Sequence, residues 1–158
     1  MRLRLFDRTD IPKILALQER CPEAARWKAA DYQRLAENPR SLVLVAELDT
    51  MDPPKLLGFV AFQRIVDEAE LYNLAVDPNH RQQGVGRALL EAAQRRLMQA
   101  GVKRIFLEVR VSNKAAMSLY SAIGFAIHSR RENYYRDPPE DAYVLALELN
   151  PPHLWEGK

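Results

Sequence analysis

The chain reads as a mixed α/β domain, one sheet with helices packed on its faces, and three observations predict it. Stretches with period-two apolar patterning, such as Leu42 to Leu48 and Arg104 to Val111, are interleaved with stretches of helical period, such as Val85 to Ala100. Between Tyr72 and Leu90 an apolar strand runs through a turn and a glycine-bearing basic loop straight into a helix. Glycine, proline and Asx residues punctuate the boundaries between the remaining segments.

The elements follow in order. Arg2 to Phe6 alternates like an edge strand, and Thr9 or Asp10 caps a first helix that tolerates its early Pro12 because that amide would be unpaired anyway. Trp27 to Glu37 reads as a second, shorter helix. Leu42 to Leu48 is an aliphatic and β-branched strand, Asp49 to Lys55 a polar turn with Pro53 and Pro54, and Leu56 to Ile65 and Ala69 to Val76 extend the antiparallel run. Val85 to Ala100 places Leu89, Ala93 and Leu97 on one stripe of a helix about 24 Å long, capped by Gly101. Arg104 to Val111 is a strand with Ile105, Leu107 and Val109 on one face and Phe106, Glu108 and Arg110 on the other. Asn113 to Ile123 is a helix stopped by Gly124. Phe125 to Tyr135, a turn at Asp137 to Glu140 and the strand Ala142 to Leu149 close the fold, with Pro151 and Pro152 ending that strand. Residues 1–150 are thus expected to be a single domain and 151–158 a loose tail.

Composition narrows the class. At 158 residues, 47% hydrophobic and 28% charged, the chain suits one soluble domain with one good core. No apolar run reaches the ~18 residues of a membrane helix, and MRLRLFDRTD lacks a signal-peptide core, so a cytoplasmic protein is expected. Cys21 is the only cysteine, which rules out an internal disulfide and agrees with a reducing compartment. It has no supporting nucleophile motif and reads as a packing residue. His80, His128 and His153 share no ligand spacing, so no metal is implied. A net charge of +2 argues for no nucleic-acid partner, and the basic residues Arg95, Arg96, Lys103 and Arg104 read as a solvated face in preference to a ribosome contact.

The loop from Arg81 to Arg87 carries the chemistry. Gly84 and Gly86 bracket Val85 where strand gives way to helix, so the backbone can turn and approach a ligand closely. The free amides of the first helical turn carry roughly half a positive charge, and Arg81 and Arg87 add full charges suited to phosphate oxygens. A P-loop would need Lys and Ser or Thr where Arg87 and Ala88 stand, and a dinucleotide fingerprint would need a third glycine. Two glycines marking an ordinary loop is the bland alternative.

The spacing R-x-x-G-x-G at Arg81 to Gly86, preceded by LAVDP at Leu74 to Pro78, resembles the acetyl-CoA pyrophosphate loop of the GNAT N-acetyltransferases. LEVRVSNKAAMSLYSAIGF at Leu107 to Phe125 resembles the second half of the same fold. With DEAELYNLAVDP and RRENYYRDPPEDAYVLAL, the likeness extends to the ribosomal-protein-alanine N-acetyltransferases, the RimI group, from about Gly58 to Leu149.

The resemblance implies a seven-stranded, mostly antiparallel sheet with about four helices and a central parallel pair that splays apart. The pantetheine of acetyl-CoA would lie in that gap, paired with backbone groups of Leu74, Ala75 and Val76, and a β-bulge is a sensible way to open it. Arg81, Gln82, Gln83, Gly84, Val85, Gly86 and Arg87 would hold the pyrophosphate, and Asn113 and Tyr120 would contact the cofactor further along. The implied activity is acetyl transfer to the α-amine of a protein, an alanine-starting small-subunit ribosomal protein, without membrane or metal, by a monomer or weak dimer.

Individual residues retain two readings. Glu108 is placed mid-strand among apolar residues, where a carboxylate is costly, so it is either a general base or a partner for Arg110 or a neighbouring strand's charge. The resemblance assigns it the base. Tyr120 alone reads as a core tyrosine with a local hydroxyl partner, and the resemblance makes it the acid for the departing thiolate. Asn113 is both a good helix N-cap and an implied cofactor contact. Tyr134 and Tyr135, near Asp141, match a segment that closes over the acceptor, or are plain hairpin aromatics, and Trp27 aligns with an acceptor-side tryptophan. A small-amine or lysine acetyltransferase and a non-catalytic acyl-CoA-binding module remain as rivals.

Overall fold

The computed structural model describes residues 1–149, so the expected strand end at Pro151 and Pro152 and the tail lie outside the described residues. Within them the chain forms β1 (Arg2–Leu5), α1 (Ile11–Glu19), α2 (Ala29–Glu37), β2 (Ser41–Leu48), β3 (Lys55–Ile65), β4 (Glu68–Val76), α3 (Val85–Gln99), β5 (Arg104–Arg110), α4 (Lys114–Ile123), β6 (Ala126–Arg136) and β7 (Pro139–Glu148). The strands make one sheet in the order β1-β2-β3-β4-β5-β7-β6. Every neighbouring pair is antiparallel except β4 with β5.

Strand alternation gives the sheet two apolar faces. Val43, Val45, Phe59, Ala61 and Ala75 pack against Ile14 and Leu17 of α1 and Tyr32 and Leu35 of α2. Leu44, Val60, Phe62, Ile105, Leu107 and Leu145 pack under Leu89, Ala93 and Leu97 of α3 and Tyr120 of α4. The first of these helix pairs leaves the face of β5, β7 and β6 uncovered, and a cleft opens there.

Two expected boundaries moved. Trp27 lies ahead of α2, which begins at Ala29, and its ring packs on Tyr32 and Tyr72 at centroid distances of 5.3 and 5.5 Å. Asp10 holds the N-cap position of α1, as expected, but its side chain makes no capping bond to that helix: Asp7 caps the 3₁₀ turn leading into it, while the buried Asp10 accepts from both terminal nitrogens of Arg4. At the other end β7 starts at Pro139 instead of Ala142, because Pro139 and Glu140 pair with Arg136 and Tyr135 of β6, while the Glu140 carboxylate is held by Arg110 and the Ser112 amide.

Between Ala61↔Asn73 and Phe62↔Leu71 the register shifts by one, leaving Tyr72 as the extra residue of a bulge in β4. The bulge reverses which residues face α3: Ala69 and Leu71 do so before it, Leu74 and Val76 after it. Beyond it β4 and β5 no longer pair, their ladder being limited to Glu68–Glu70 against Arg104–Phe106. Each strand keeps its other neighbour, β3 for one and β7 for the other. The gap is therefore walled by two strand edges whose inward-facing backbone groups do not pair with each other.

Candidate active site

The glycine loop stands at the end of β4. Asp77 follows that strand, wholly buried, and its carboxylate accepts both Arg20 guanidinium nitrogens at 3.1 Å and the Asn79 amide at 2.9 Å, with Lys55 at 3.6 Å. Burial pushes this carboxyl up, but the hydrogen bonds from Asn79 and Arg20 and the charge of Lys55 outweigh it and hold it below the usual range. The cluster ties the loop's start to the end of α1 and the start of β3. The sequence reading quoted Asp77 only as part of a motif and missed it as an anchor.

Gly84 has φ +84°, a left-handed conformation, and nothing stands within 4 Å of where its Cβ would be. At Gly86 a Cβ would meet Leu119 of α4 at 3.2 Å and Val76 of β4 at 3.5 Å, so glycine permits the close convergence of three elements at the gap. Gln82, Gln83 and Arg87 are exposed around this turn, and Val85 is buried beneath it. Arg81 pairs with Glu23, and Arg87 with Glu91 at 3.1 Å. The Val76 carbonyl accepts long contacts of 3.4 Å from Arg81 Nε and from the buried Cys21 thiol, which burial pushes up in pKa. The Leu74 amide donates to the side chain of Asn73 at 3.1 Å.

Glu108 and Tyr120 occupy opposite sides of the sheet. Glu108 lines a cleft of about 450 Å³ with Glu70, Phe106, Ser129, Arg131, Tyr134 and Val144. Its carboxylate accepts a hydrogen bond from Arg131 at 3.0 Å, whereas Arg110 turns away to Glu140. Tyr120 is buried in the other face, its ring 5.5 Å from Phe125, and burial raises its pKa, with a further push from Tyr135.

Tyr134 lies on the cleft with Arg131 over its ring, and Tyr135 is stacked under Arg110 at 4.2 Å. Burial pushes Tyr135 up to about 12, with added pressure from Tyr134 and Glu108. Asp141 holds the bulged backbone that presents these tyrosines, accepting the Asn133 amide at 2.8 Å and Arg130 at 2.9 Å. Asn113 caps α4, accepting the Ala116 amide at 3.1 Å. Trp27 does not join this cleft: with Tyr72 it lines a separate hollow of about 270 Å³ against α2. Glu70, Arg131 and Tyr72 were not singled out from the sequence, although period-two alternation places Glu70 on the opposite face of β4 from its apolar neighbours Ala69 and Leu71. Among the described residues no group of three His, Cys, Asp or Glu side chains is placed to hold a metal, and no helix is long and apolar enough to cross a membrane.

A sheet parted along one parallel pair, with a phosphate-suited helix start at the mouth of the gap, is the framework of an acyltransferase. The chain belongs to the acetyltransferase (GNAT) family, whose sequence model matches residues 11–125. That match begins well before Gly58, where the visible likeness starts. The ribosomal protein bS18-alanine N-acetyltransferase of Escherichia coli strain K12 is 38% identical over 92% of this chain and 95% of its own length. The enzyme of that name from Salmonella typhimurium is 33% identical over 94% of this chain and 97% of its own. The crystal structure of the ribosomal-protein-S18-alanine N-acetyltransferase from Escherichia coli superposes with a TM-score of 0.81 at 34% identity, covering 98% of both chains.

Proposed function

We propose that this protein transfers the acetyl group of acetyl-CoA to the N-terminal α-amine of an alanine-starting ribosomal protein, in the cytoplasm, by direct attack in a ternary complex. The observation that carries the reading is the gap between β4 and β5, which meets the loop Arg81–Arg87 at one end and adjoins the Glu108 cleft on one face. The relatives named for acetylating ribosomal protein bS18 match nearly the whole chain and supply the acceptor.

In this reading the pantetheine arm lies in the gap as an added strand beside Leu74, Ala75 and Val76, and displaces the long contacts on the Val76 carbonyl. Gln82, Gln83, Gly84, Val85 and Gly86 offer backbone amides to the pyrophosphate, while Arg81 and Arg87 exchange their carboxylate partners for phosphate oxygens. Asn113 fixes the start of α4 and so the position of Tyr120.

A protein α-amine, with a reference pKa near 7.8, is roughly 10 to 20% neutral at pH 7, against well under 0.1% of a lysine. A modest base therefore suffices. The neutral amine attacks the thioester carbonyl, a C–N bond forms, the C–S bond breaks and CoA leaves as the thiolate. Glu108 accepts the amine proton, directly or through water. Tyr120 donates a hydrogen bond to the departing sulfur. Burial raises its pKa, which keeps the hydroxyl protonated and makes complete proton transfer to a thiolate of reference pKa near 8.5 uphill. Hydrogen bonding, more than full protonation, is the role this environment favours. Tyr134 and Tyr135 flank the acceptor, and Trp27 acts behind them through Tyr72.

The test is turnover on an alanine-starting peptide with acetyl-CoA, alongside the same peptide Nα-blocked and a panel of small amines and lysine peptides. Modification confined to the free α-amine supports the reading. Turnover on small amines or lysines alone, or tight CoA binding with no turnover, contradicts it.

A further inference from the structure

Glu70 leaves a charge in the acceptor cleft unbalanced. It stands opposite Phe106 in the last paired step of β4 and β5, with Glu108 two residues further along the same face of β5, and both carboxylates line the one cleft. Arg131 is committed to Glu108 at 3.0 Å. Among the described residues Glu70 has no ion-pair partner. The other titratable groups around it are the phenols of Tyr72 and Tyr134, neither of which supplies positive charge. Two carboxylates and one guanidinium leave the cleft one positive charge short.

We infer that Glu70 is an acceptor-binding residue, whose carboxylate holds the incoming α-ammonium group beside Glu108 before the proton is removed. The inference rests on the α-amine reading above and names the group that selects for it. Burial pushes the Glu70 carboxyl up, and the adjoining charge and hydrogen-bond contact of Glu108 push it further, while Arg131 pulls the other way. A cation seated between the two carboxylates relieves that repulsion. A blocked or acetylated N-terminus brings no charge and leaves the pair uncompensated, so product is released from the same position that captured substrate.

The experiment compares wild type with Glu70→Gln, an isosteric change, in steady-state kinetics on an alanine-starting peptide and acetyl-CoA. A charge-assisted contact of this kind is worth about tenfold in acceptor KM. The expected result is that rise, with kcat changed by less than about twofold, an unaltered KM for acetyl-CoA and a thermal midpoint held or raised because a like-charge contact is gone. Glu70→Asp should recover most of the acceptor affinity. An unchanged acceptor KM, or a fall in kcat at constant KM, overturns the inference while leaving the acetyltransferase reading intact. Wild-type protein that modifies no free α-amine overturns both.

Discussion

Tyr72 and Asn73, consecutive in β4, face the same side of the sheet: Tyr72 packs on Trp27, and Asn73 donates to Tyr32 Oη at 3.0 Å and accepts the Ala25 amide at 3.0 Å. Alternation forbids this in a regular strand, so the pair marks the bulge. The Asn73 amide, 3% exposed, is held by partners on α1, α2 and the connection between them, which fixes the bulge and with it the parting of β4 from β5. Asn73→Leu keeps the approximate volume but strands the Ala25 amide and leaves the buried Tyr32 hydroxyl with only its bond to Gln18. It should cost about 2 kcal/mol, read as a lower denaturation midpoint, with acetyl-CoA affinity falling in parallel as the gap narrows.

Glu108→Gln removes the carboxylate proposed as the base and keeps the side chain's shape. Removing a general base costs about 10²- to 10⁴-fold in rate, so kcat on the α-amine peptide should fall by at least a hundredfold while the Kd for CoA, measured by calorimetry, stays within about twofold. Full activity across pH would remove Glu108 from the mechanism.

Tyr120→Phe tests the proposed sulfur contact. The ring still packs on Phe125, so stability should change by less than about 1 kcal/mol, whereas kcat should fall about ten- to a hundredfold through loss of one hydrogen bond to a developing anion. Chemical denaturation and single-turnover rates on the same preparation separate the two effects.

Much of this architecture was legible in the chain, because period-two and period-3.6 patterning survive burial and because Gly84, Gly101 and Gly124 mark turns that need a positive φ. A bulge in this strand was expected as the way to open the gap, but its place at Tyr72 was not legible, since its evidence is the pairing with β3, a contact that alternation along β4 alone does not specify. Glu108 was visible as a carboxylate in a strand, but its companions Glu70 and Arg131 come from β4 and β6, and the sheet order that brings them together is a property of the whole topology. Trp27 was expected on the acceptor side, and it stands outside the Glu108 cleft, because α2 begins two residues after it and its ring packs on Tyr32 and Tyr72.

Asp77 gives the loop a pH dependence of definite sign. Its folded-state pKa lies below the unfolded value near 3.9, so its stabilising contribution is fully present above that value and is lost as pH falls through the lower, folded-state pKa. Asp77→Asn should lower the thermal midpoint at neutral pH, leaving Arg20 and Lys55 without their buried partner, and should flatten the acid limb of the stability curve below about pH 4. Thermal melts of both proteins from pH 3 to 7 on a roughly half-unit grid would show it.

Gly84→Ala places a side chain where φ is +84° but where nothing obstructs it, so the penalty is backbone strain of about 1 kcal/mol. Gly86→Ala instead presses on Leu119 at 3.2 Å and moves α4, with Tyr120, relative to α3. The first variant should raise the KM for acetyl-CoA with kcat nearly preserved, and the second should lower kcat as well. Equal effects on both parameters in both variants would contradict the separate roles proposed for the loop and for Tyr120.

The most direct test is mass spectrometry of an alanine-starting ribosomal N-terminal peptide, free and Nα-blocked, after incubation with the protein and acetyl-CoA. One added acetyl group on the free peptide and none on the blocked one is the predicted result. An unmodified free peptide, or equal labelling of the blocked one through a lysine, would contradict the assignment of the Glu108 cleft to a protein α-amine.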